Sequence, residues 1–141
     1  MKVEGGCHCG RIRYEAEVDP TKIVISHCTE CQTLSGSAFR KVVQAINGTF
    51  RLLSGTPKVY TQVGESGNGR EQAFCPDCGA PIYSAPAAGK GTKVFARVGT
   101  IPQQDQLAPS DQYWFRSSQF RHLPTISTRE KQPPFVAKGQ S

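Results

Sequence analysis

The stretch FCPDCGAP, residues 74–81, is the most informative part of this sequence. Its cysteines, Cys75 and Cys78, have a spacing at which two thiolates can reach one tetrahedral metal ion. Gly79 follows directly and can adopt a left-handed backbone at little steric cost. In such a knuckle the backbone N–H groups turn toward the sulfur atoms and offset the negative charge of the thiolates. The stretch therefore predicts one half of a zinc site.

Two more close cysteine pairs lie upstream, Cys7 with Cys9 in GGCHCG and Cys28 with Cys31 in SHCTEC. Metal binding is favoured over disulfides because we expect a cytosolic chain, whose thiols the glutathione and thioredoxin systems keep reduced. Cys7 and Cys9 are predicted to share one face of a strand, which turns His8 to the opposite face as a bystander. Spacing alone does not decide which two pairs share an ion.

Composition limits the class of protein. With 141 residues, 37% of them hydrophobic, together with 14 Gly and 10 Pro, the chain predicts one turn-rich globular domain. The formal net charge of +6 favours an anionic partner, but the basic residues are scattered. A dedicated nucleic-acid surface is therefore not favoured, whereas a basic cleft for a small acidic molecule fits. No apolar stretch is long enough to span a membrane and no signal region is visible, so we expect a cytoplasmic protein.

Short segments rich in Val, Ile, Tyr and Phe alternate with glycine-containing turns, which predicts a mainly β fold of small zinc-stapled antiparallel sheets. The predicted strands are 11–18, 41–46, 49–55, 58–63 and 93–100. One turn of helix is predicted within Thr29–Ser37. The final residues, 125–141, contain two adjacent prolines and few apolar side chains. They predict a loosely attached tail that follows a domain of residues 1–124.

Four motifs, spaced in order along the chain, resemble the glutathione-dependent formaldehyde-activating enzyme family, also called the CENP-V/GFA domain. They are GGCHCGRIRYEA (5–16), SHCTECQTLSGSAF (26–39), GTPKVY (55–60) and REQAFCPDCGAPIY (70–83). The similarity runs from about Gly5 to Pro124 and weakens in the last third. It implies a zinc-dependent fold of the β-tent type and assignment to the carbon–sulfur lyases. The founding activity of the family joins formaldehyde to glutathione and gives S-hydroxymethylglutathione.

The resemblance also implies two zinc sites. The structural zinc ligands fall on Cys7, Cys9, Cys75 and Cys78. The family's second zinc is held by the three thiolates of a C-H-C-x-x-C motif and keeps a position open for substrate. Here that motif reads SHCTEC, so Ser26 replaces the first thiolate. A serine hydroxyl titrates far above neutral pH and is a poor zinc ligand. We therefore expect Cys28 and Cys31 to form a catalytic second site that is weakened or left empty.

Three further side chains concern this second site. His27 is adjacent to Cys28 but, in an extended segment, faces away from it. His122, in RHLP, is distant in sequence and is the first candidate to complete a metal shell. The resemblance also implies a histidine in front of an aromatic pair in a late strand, a position that Gln112 occupies here.

Three functions are compatible with these residues. The first is a lyase in which zinc at Cys28 and Cys31 binds the sulfur of glutathione or another small thiol, which then adds to an aldehyde. The second is a catalytically silent, zinc-stabilised module that binds a protein or nucleic acid. The segment YWFRSSQFRH (113–122) supports this second function, because it interleaves aromatics with Arg116 and Arg121 as a single-strand-binding surface does. We nevertheless favour a buried core strand for this segment. The third is a redox role for Cys28 and Cys31 as a dithiol. The sequence does not show the βαβ pattern that usually accompanies such a motif.

Deleting residues 125–141 tests the predicted tail. Because the segment lacks periodic apolar positions, we expect the truncated protein to melt within a few degrees of the full chain. The measurement is thermal unfolding of both proteins, followed by circular dichroism under identical conditions. A larger fall in the melting temperature would show that the tail packs on the domain.

Overall fold

A computed structural model describes residues 1–64, 67–87, 92–120 and 129–131. Within these residues the chain forms nine strands and one α-helix, so the predicted mainly β class is confirmed. The elements are β1 (Lys2–Gly6), β2 (Arg13–Ser26), α1 (Thr29–Ser35), β3 (Arg40–Ala45), β4 (Arg51–Ser54), β5 (Lys58–Val63), β6 (Gly69–Phe74), β7 (Pro81–Pro86), β8 (Phe95–Arg97) and β9 (Asp111–Tyr113). Short 3-10 helices lie at Val98–Thr100, Gln104–Gln106 and Phe115–Ser117.

The long strand β2 belongs to two sheets. Its first part pairs antiparallel with β1 and β4. Its last part pairs antiparallel with β3 and, along the other edge, parallel with β9. The register with β3 shifts between Val18 and Ile23, where Pro20 has no N–H to donate to a ladder. From β3 the second sheet continues in the order β8, β7, β6, β5.

One hydrophobic core joins the two sheets. Its fully buried members come from β1, β2, β3, β7 and the segments just before β2 and after β8. They include Val3, Ile12, Tyr14, Val18, Ile23, Val43, Ile82, Val98, Ile101 and Leu107. Complete burial of each such side chain contributes about 1.5–3 kcal/mol. Cys7 and Cys75 belong to the same cluster. The cysteine turns are therefore built into the core rather than attached to its surface.

The described part of the aromatic segment, residues 113–120, differs from its prediction as a buried core strand. Tyr113, Trp114, Phe115 and Phe120 are each about half exposed. The reason is that β9 is only three residues long and pairs with β2 alone. At Trp114 the backbone adopts a left-handed conformation with φ of 57°, and the chain leaves the strand.

The helical turn predicted after the second cysteine pair is confirmed as α1, which ends at Gly36 with a left-handed φ of 64°. Arg121 and His122 lie outside the described residues, as does the predicted tail apart from 129–131. The tail therefore stays a prediction. None of the helices in the described part of the chain is long and apolar enough to cross a lipid bilayer.

Tyr14 shows how closely β1 and β2 pack, which gives a test of this core. Gly5 lies opposite Tyr14, and a Cβ atom built on Gly5 would lie 2.3 Å from the tyrosine ring. The ring is fully buried, and its hydroxyl lies 2.7 Å from Thr100 Oγ1. We expect Gly5→Ala to lower the free energy of unfolding by about 1–3 kcal/mol, because the buried ring must move. Urea unfolding followed by circular dichroism measures the change.

The matched control is Gly99→Ala. A Cβ atom at Gly99 meets no heavy atom within 4 Å, and its backbone is not left-handed. We expect it to change the stability by no more than about 0.5 kcal/mol. Equal effects of the two substitutions would contradict the packing described for Gly5.

Candidate functional site

Four sulfur atoms from two distant parts of the chain converge at one point. The Sγ atoms of Cys7, Cys9, Cys75 and Cys78 all lie within 4.8 Å of one another. Cys9 Sγ lies 3.5 Å from Cys7 Sγ and 3.7 Å from Cys75 Sγ. A tetrahedral zinc ion with Zn–S bonds of about 2.3 Å separates its ligands by about 3.8 Å. The cluster therefore fits a zinc ion, and it is the one such group of His, Cys, Asp and Glu within the described ranges.

The turn that carries Cys75 and Cys78 is a tight knuckle, as FCPDCGAP predicts. The N–H of Gly79 donates to the carbonyl oxygen of Cys75 at 2.9 Å. The N–H of Cys75 donates to the carbonyl oxygen of Ala80 at 3.0 Å. Gly79 has a φ of 77°, which glycine adopts without a steric cost. The backbone therefore directs both sulfur atoms toward the same point.

The turn that carries Cys7 and Cys9 has a related construction, so the predicted strand geometry is wrong there. Strand β1 ends before Cys7, and the chain turns through Gly10, whose φ is 83°. The N–H of Gly10 donates to the carbonyl oxygen of Cys7 at 3.2 Å, and the N–H of Ile12 donates to Cys7 Sγ at 3.2 Å. His8 is exposed and lies outside the sulfur cluster, consistent with a bystander.

Without a cation, the four thiols compete for a few hydrogen-bond donors. Backbone N–H groups of Ala80 and Cys9 donate to Cys78 and lower the pKa of its thiol to about 6. The N–H of Arg11 acts in the same direction on Cys9, but the neighbouring thiols and desolvation outweigh it and raise the pKa of Cys9 to about 12. A zinc ion at the centre would remove this conflict, because each thiolate would then face a cation.

The second predicted site lies where β2 passes into α1. Cys28 and Cys31 form a disulfide with a Cα–Cα distance of 5.1 Å, so the expectation of six reduced cysteines does not hold for this pair. Two cysteines three positions apart in the first helical turn are within disulfide range. Cys28 Sγ also accepts the N–H of Cys31 at 3.1 Å. The hydroxyl of Ser26, which is buried, lies 3.3 Å from Cys31 Sγ.

These residues fit a metal ion only in part. The disulfide offers no thiolate, and its reduction would supply two, at Cys28 and Cys31. Ser26 holds the first position of the motif and offers a hydroxyl in place of the remaining thiolate. His122, the first candidate for a further ligand, lies outside the described residues.

His27 faces the other side of β2, as the extended segment predicts. It is almost fully buried, and its Nε2 lies 2.9 Å from Oε1 of Gln112 on β9. Its ring makes edge contacts with Phe39 and Phe115, with 5.7 Å between centroids in each case. Gln112 therefore positions His27 between β9 and the start of β3, and neither side chain is directed at the cysteine pair.

Two cavities flank the Cys28–Cys31 pair. The larger, of about 500 Å³, is lined by both cysteines together with Glu30, Arg40, Gln62 and Arg70, among others. The second, of about 400 Å³, lies between the start of α1 and the segment around Trp114. No sequence motif contains both lining arginines, Arg40 and Arg70, because they come from strands far apart in the chain. The one feature of the sequence that pointed to a basic cleft was the net charge of +6.

Replacing Cys78 by serine tests the first site. We expect the variant to lose its zinc and largely unfold, since a structural zinc site contributes on the order of 10 kcal/mol to folding. Metal analysis and circular dichroism of the purified protein provide the readouts. His8→Ala, a change in the same pair of turns outside the cluster, should keep both zinc and fold. A folded, zinc-free Cys78→Ser protein would contradict the structural role.

Comparisons with known proteins concern the family and the fold of this chain. The family model of the glutathione-dependent formaldehyde-activating enzyme matches residues 2–117. A Rhodobacter sphaeroides protein, solved as a Northeast Structural Genomics target, superposes with a TM-score of 0.60 at 19% identity, over 79% of this chain and 99% of that one. At this identity the likeness concerns the fold alone. Comparison with curated proteins gives no match. Because the family model covers most of its length, the chain belongs to the glutathione-dependent formaldehyde-activating enzyme family.

Proposed function

We propose that this protein makes or breaks the carbon–sulfur bond between an aldehyde carbon and a small thiol such as glutathione. The observation that carries the proposal is the cavity of about 500 Å³ in which the Cys28–Cys31 pair adjoins basic side chains. A cavity of this volume suits a small molecule rather than a macromolecule. Membership of the family supports the same chemistry.

The reduced form of the cysteine pair is the working form in this proposal. A cytoplasmic location, which we also propose, would keep Cys28 and Cys31 reduced. The backbone N–H of Cys31 donates to Cys28 Sγ and would favour the thiolate there. Zinc held by the two thiolates would supply a Lewis acid that lowers the pKa of an incoming thiol and polarises an aldehyde oxygen.

Ser26 limits this second metal site. Its hydroxyl lies next to Cys31 but stays protonated at neutral pH, so it adds neither a negative charge nor a soft donor atom. We therefore expect the reduced protein to hold one zinc ion firmly, at the four-cysteine cluster, and a second weakly or not at all.

Restoring the thiolate tests both the site and the activity. In reduced protein, Ser26→Cys should raise the zinc content from about one toward two per chain, because a third thiolate strengthens the ion's binding. It should also increase the rate at which S-hydroxymethylglutathione exchanges with formaldehyde and glutathione. Metal analysis gives the first readout, and exchange NMR measured against the uncatalysed background gives the second.

Adding Cys28→Ser is the matched control. It should remove the gain in metal and in rate while leaving the first zinc in place. Two tightly bound zinc ions in the unmodified protein would contradict the weakened site and direct attention to His122. If Ser26→Cys gains no metal, the backbone of this segment does not present a third ligand.

A second candidate function is a binding module without catalysis. The exposed aromatics Tyr113, Trp114, Phe115 and Phe120 favour it, because four half-exposed rings within eight residues form an unusually apolar surface. Arg116 lies over the ring of Trp114, with 4.9 Å between its guanidinium carbon and the ring centroid. The exchange experiment separates the two functions: a binding module would show the uncatalysed rate in every variant.

A further inference from the structure

Two arginines of the second sheet share one face with Ser26. Arg40 on β3 lies directly opposite Ser26 on β2, and Arg97 on β8 lies opposite Val42 on β3. Side chains alternate between the two faces of a strand, so Arg40 and Val42 point to the same side. Arg97 therefore faces the side on which Ser26 meets the cysteine pair.

A third arginine reaches the same face from β6. Gln72 lies opposite Ser84 on β7, and Ser84 lies opposite Phe95 on β8. Because Arg70 is two positions before Gln72, and Phe95 is two positions before Arg97, both arginines lie on this face. Their contacts agree with the register. Arg97 Nη2 donates to Gln72 Oε1 at 2.7 Å, and the Arg70 guanidinium lies 5.4 Å from the Phe95 ring centroid.

Two of these guanidinium groups carry unused donors. Arg97 is only 7% exposed, and its Nε and Nη1 atoms are buried without a hydrogen-bond partner. The same two atoms of Arg40 are also buried and unpartnered. Ion pairs within the described part of the chain involve other groups and none of the three arginines. Buried cations without an anion are costly, and buried donors are normally satisfied.

The electrostatics of the cluster point the same way. Burial lowers the pKa of Arg97 to about 9, and repulsion by Arg40 and Arg70 adds to the effect. Burial likewise lowers the pKa of Arg40, again with a contribution from Arg70. The three charges are thus close enough to repel one another, so an anion near them would be strongly attracted.

Among the described residues that line the 500 Å³ cavity, Glu30 is the acidic one. It forms no ion pair with the three arginines. Its carboxylate instead accepts a hydrogen bond from Gln62. Arg40 and Arg70 line the cavity directly. Arg97 lines a separate cavity of about 300 Å³ and therefore acts on the first through its charge.

We propose that Arg40 and Arg70, supported by the buried charge of Arg97, bind an anionic group of the ligand, a carboxylate or a phosphate, in the cavity beside Cys28 and Cys31. A guanidinium presents paired N–H donors that match two oxygens of either group. The assignment of the ligand as a thiol rests on the proposed function, whereas the anion site stands on the arginines themselves. With a thiol as the ligand, this anion site favours thiols that carry an acidic group over neutral thiols.

Anion titrations of the reduced full-length protein test the site. Inorganic phosphate, succinate and glutathione are titrated separately at constant ionic strength, and binding is followed by NMR chemical shifts. We expect Arg40→Gln and Arg70→Gln each to weaken binding about tenfold or more, since each removes charged hydrogen bonds. A preference for phosphate over succinate and glutathione identifies a phosphate site, and the reverse preference identifies a carboxylate site.

Arg13→Gln is the matched control, because it removes the same charge from an exposed position on the other sheet. It should leave binding unchanged. Arg40→Lys, which keeps the charge and is a milder change at a partly buried position, should retain part of the affinity. Absence of anion binding to the unmodified protein, or an equal loss in Arg13→Gln, would overturn the site.

The outcome is independent of the lyase proposal. If anions bind through Arg40 and Arg70 while no variant accelerates the exchange of S-hydroxymethylglutathione, the anion site stands and the proposed reaction fails. If the reaction is accelerated but the arginine variants are as active as Arg13→Gln, the reaction stands and the anion site fails.

Discussion

The four-sulfur cluster is the constraint on which the rest of the structure depends. It joins the turn after β1 to the turn before β7, positions 66 residues apart for Cys9 and Cys75. Strands β2 to β6, and with them most of the cavity lining, lie in the loop that this cross-link closes. Two of its cysteines are part of the hydrophobic core, so the residues that could hold an ion also pack the core. A cation at this point would relieve the competition among the four thiols.

The strand β2 connects the region of the four-sulfur cluster to the second cysteine pair. Because it pairs with β1 and β4 at one end and with β3 and β9 at the other, its backbone has little freedom. Ser26, at its last position, is therefore held against Cys31 and opposite Arg40. At this position Ser26 presents a hydroxyl oxygen to Cys31, where a cysteine would present a thiolate. Under the proposed function, this hydroxyl is a weaker ligand for a second ion than a thiolate would be.

The two cysteine groups differ in how far they adjoin open space. The first group supplies four sulfur ligands and leaves no position open, which suits a cross-link. The second adjoins two cavities, and its two cysteines form a disulfide outside the hydrophobic core cluster. The three arginines of the second sheet add to this difference. They place positive charge without an ion-pair partner near the Cys28–Cys31 pair and not near the four-cysteine cluster. Part of the net charge of +6 is thereby concentrated where a small anion can reach it.

The sequence by itself determined the features that depend on neighbours along the chain. The Cys75–Cys78 spacing with Gly79 specified a tight cysteine knuckle, and short segments rich in Val, Ile, Tyr and Phe specified strands such as β5. The resemblance placed the first zinc on four cysteines that the structure brings together. The extended segment also oriented His27 correctly, because side-chain direction in a strand follows from position alone.

Only the tertiary structure decided the features that depend on register between distant strands. Arg40, Arg70 and Arg97 meet on one face because β3, β6 and β8 align as they do, and no local pattern records that alignment. The exposure of Trp114 follows from the edge position of β9, although its aromatic sequence resembles that of a core strand. A one-residue shift in pairing would turn each of these side chains to the opposite face. Which residues share the cavity is therefore a property of the assembled sheets.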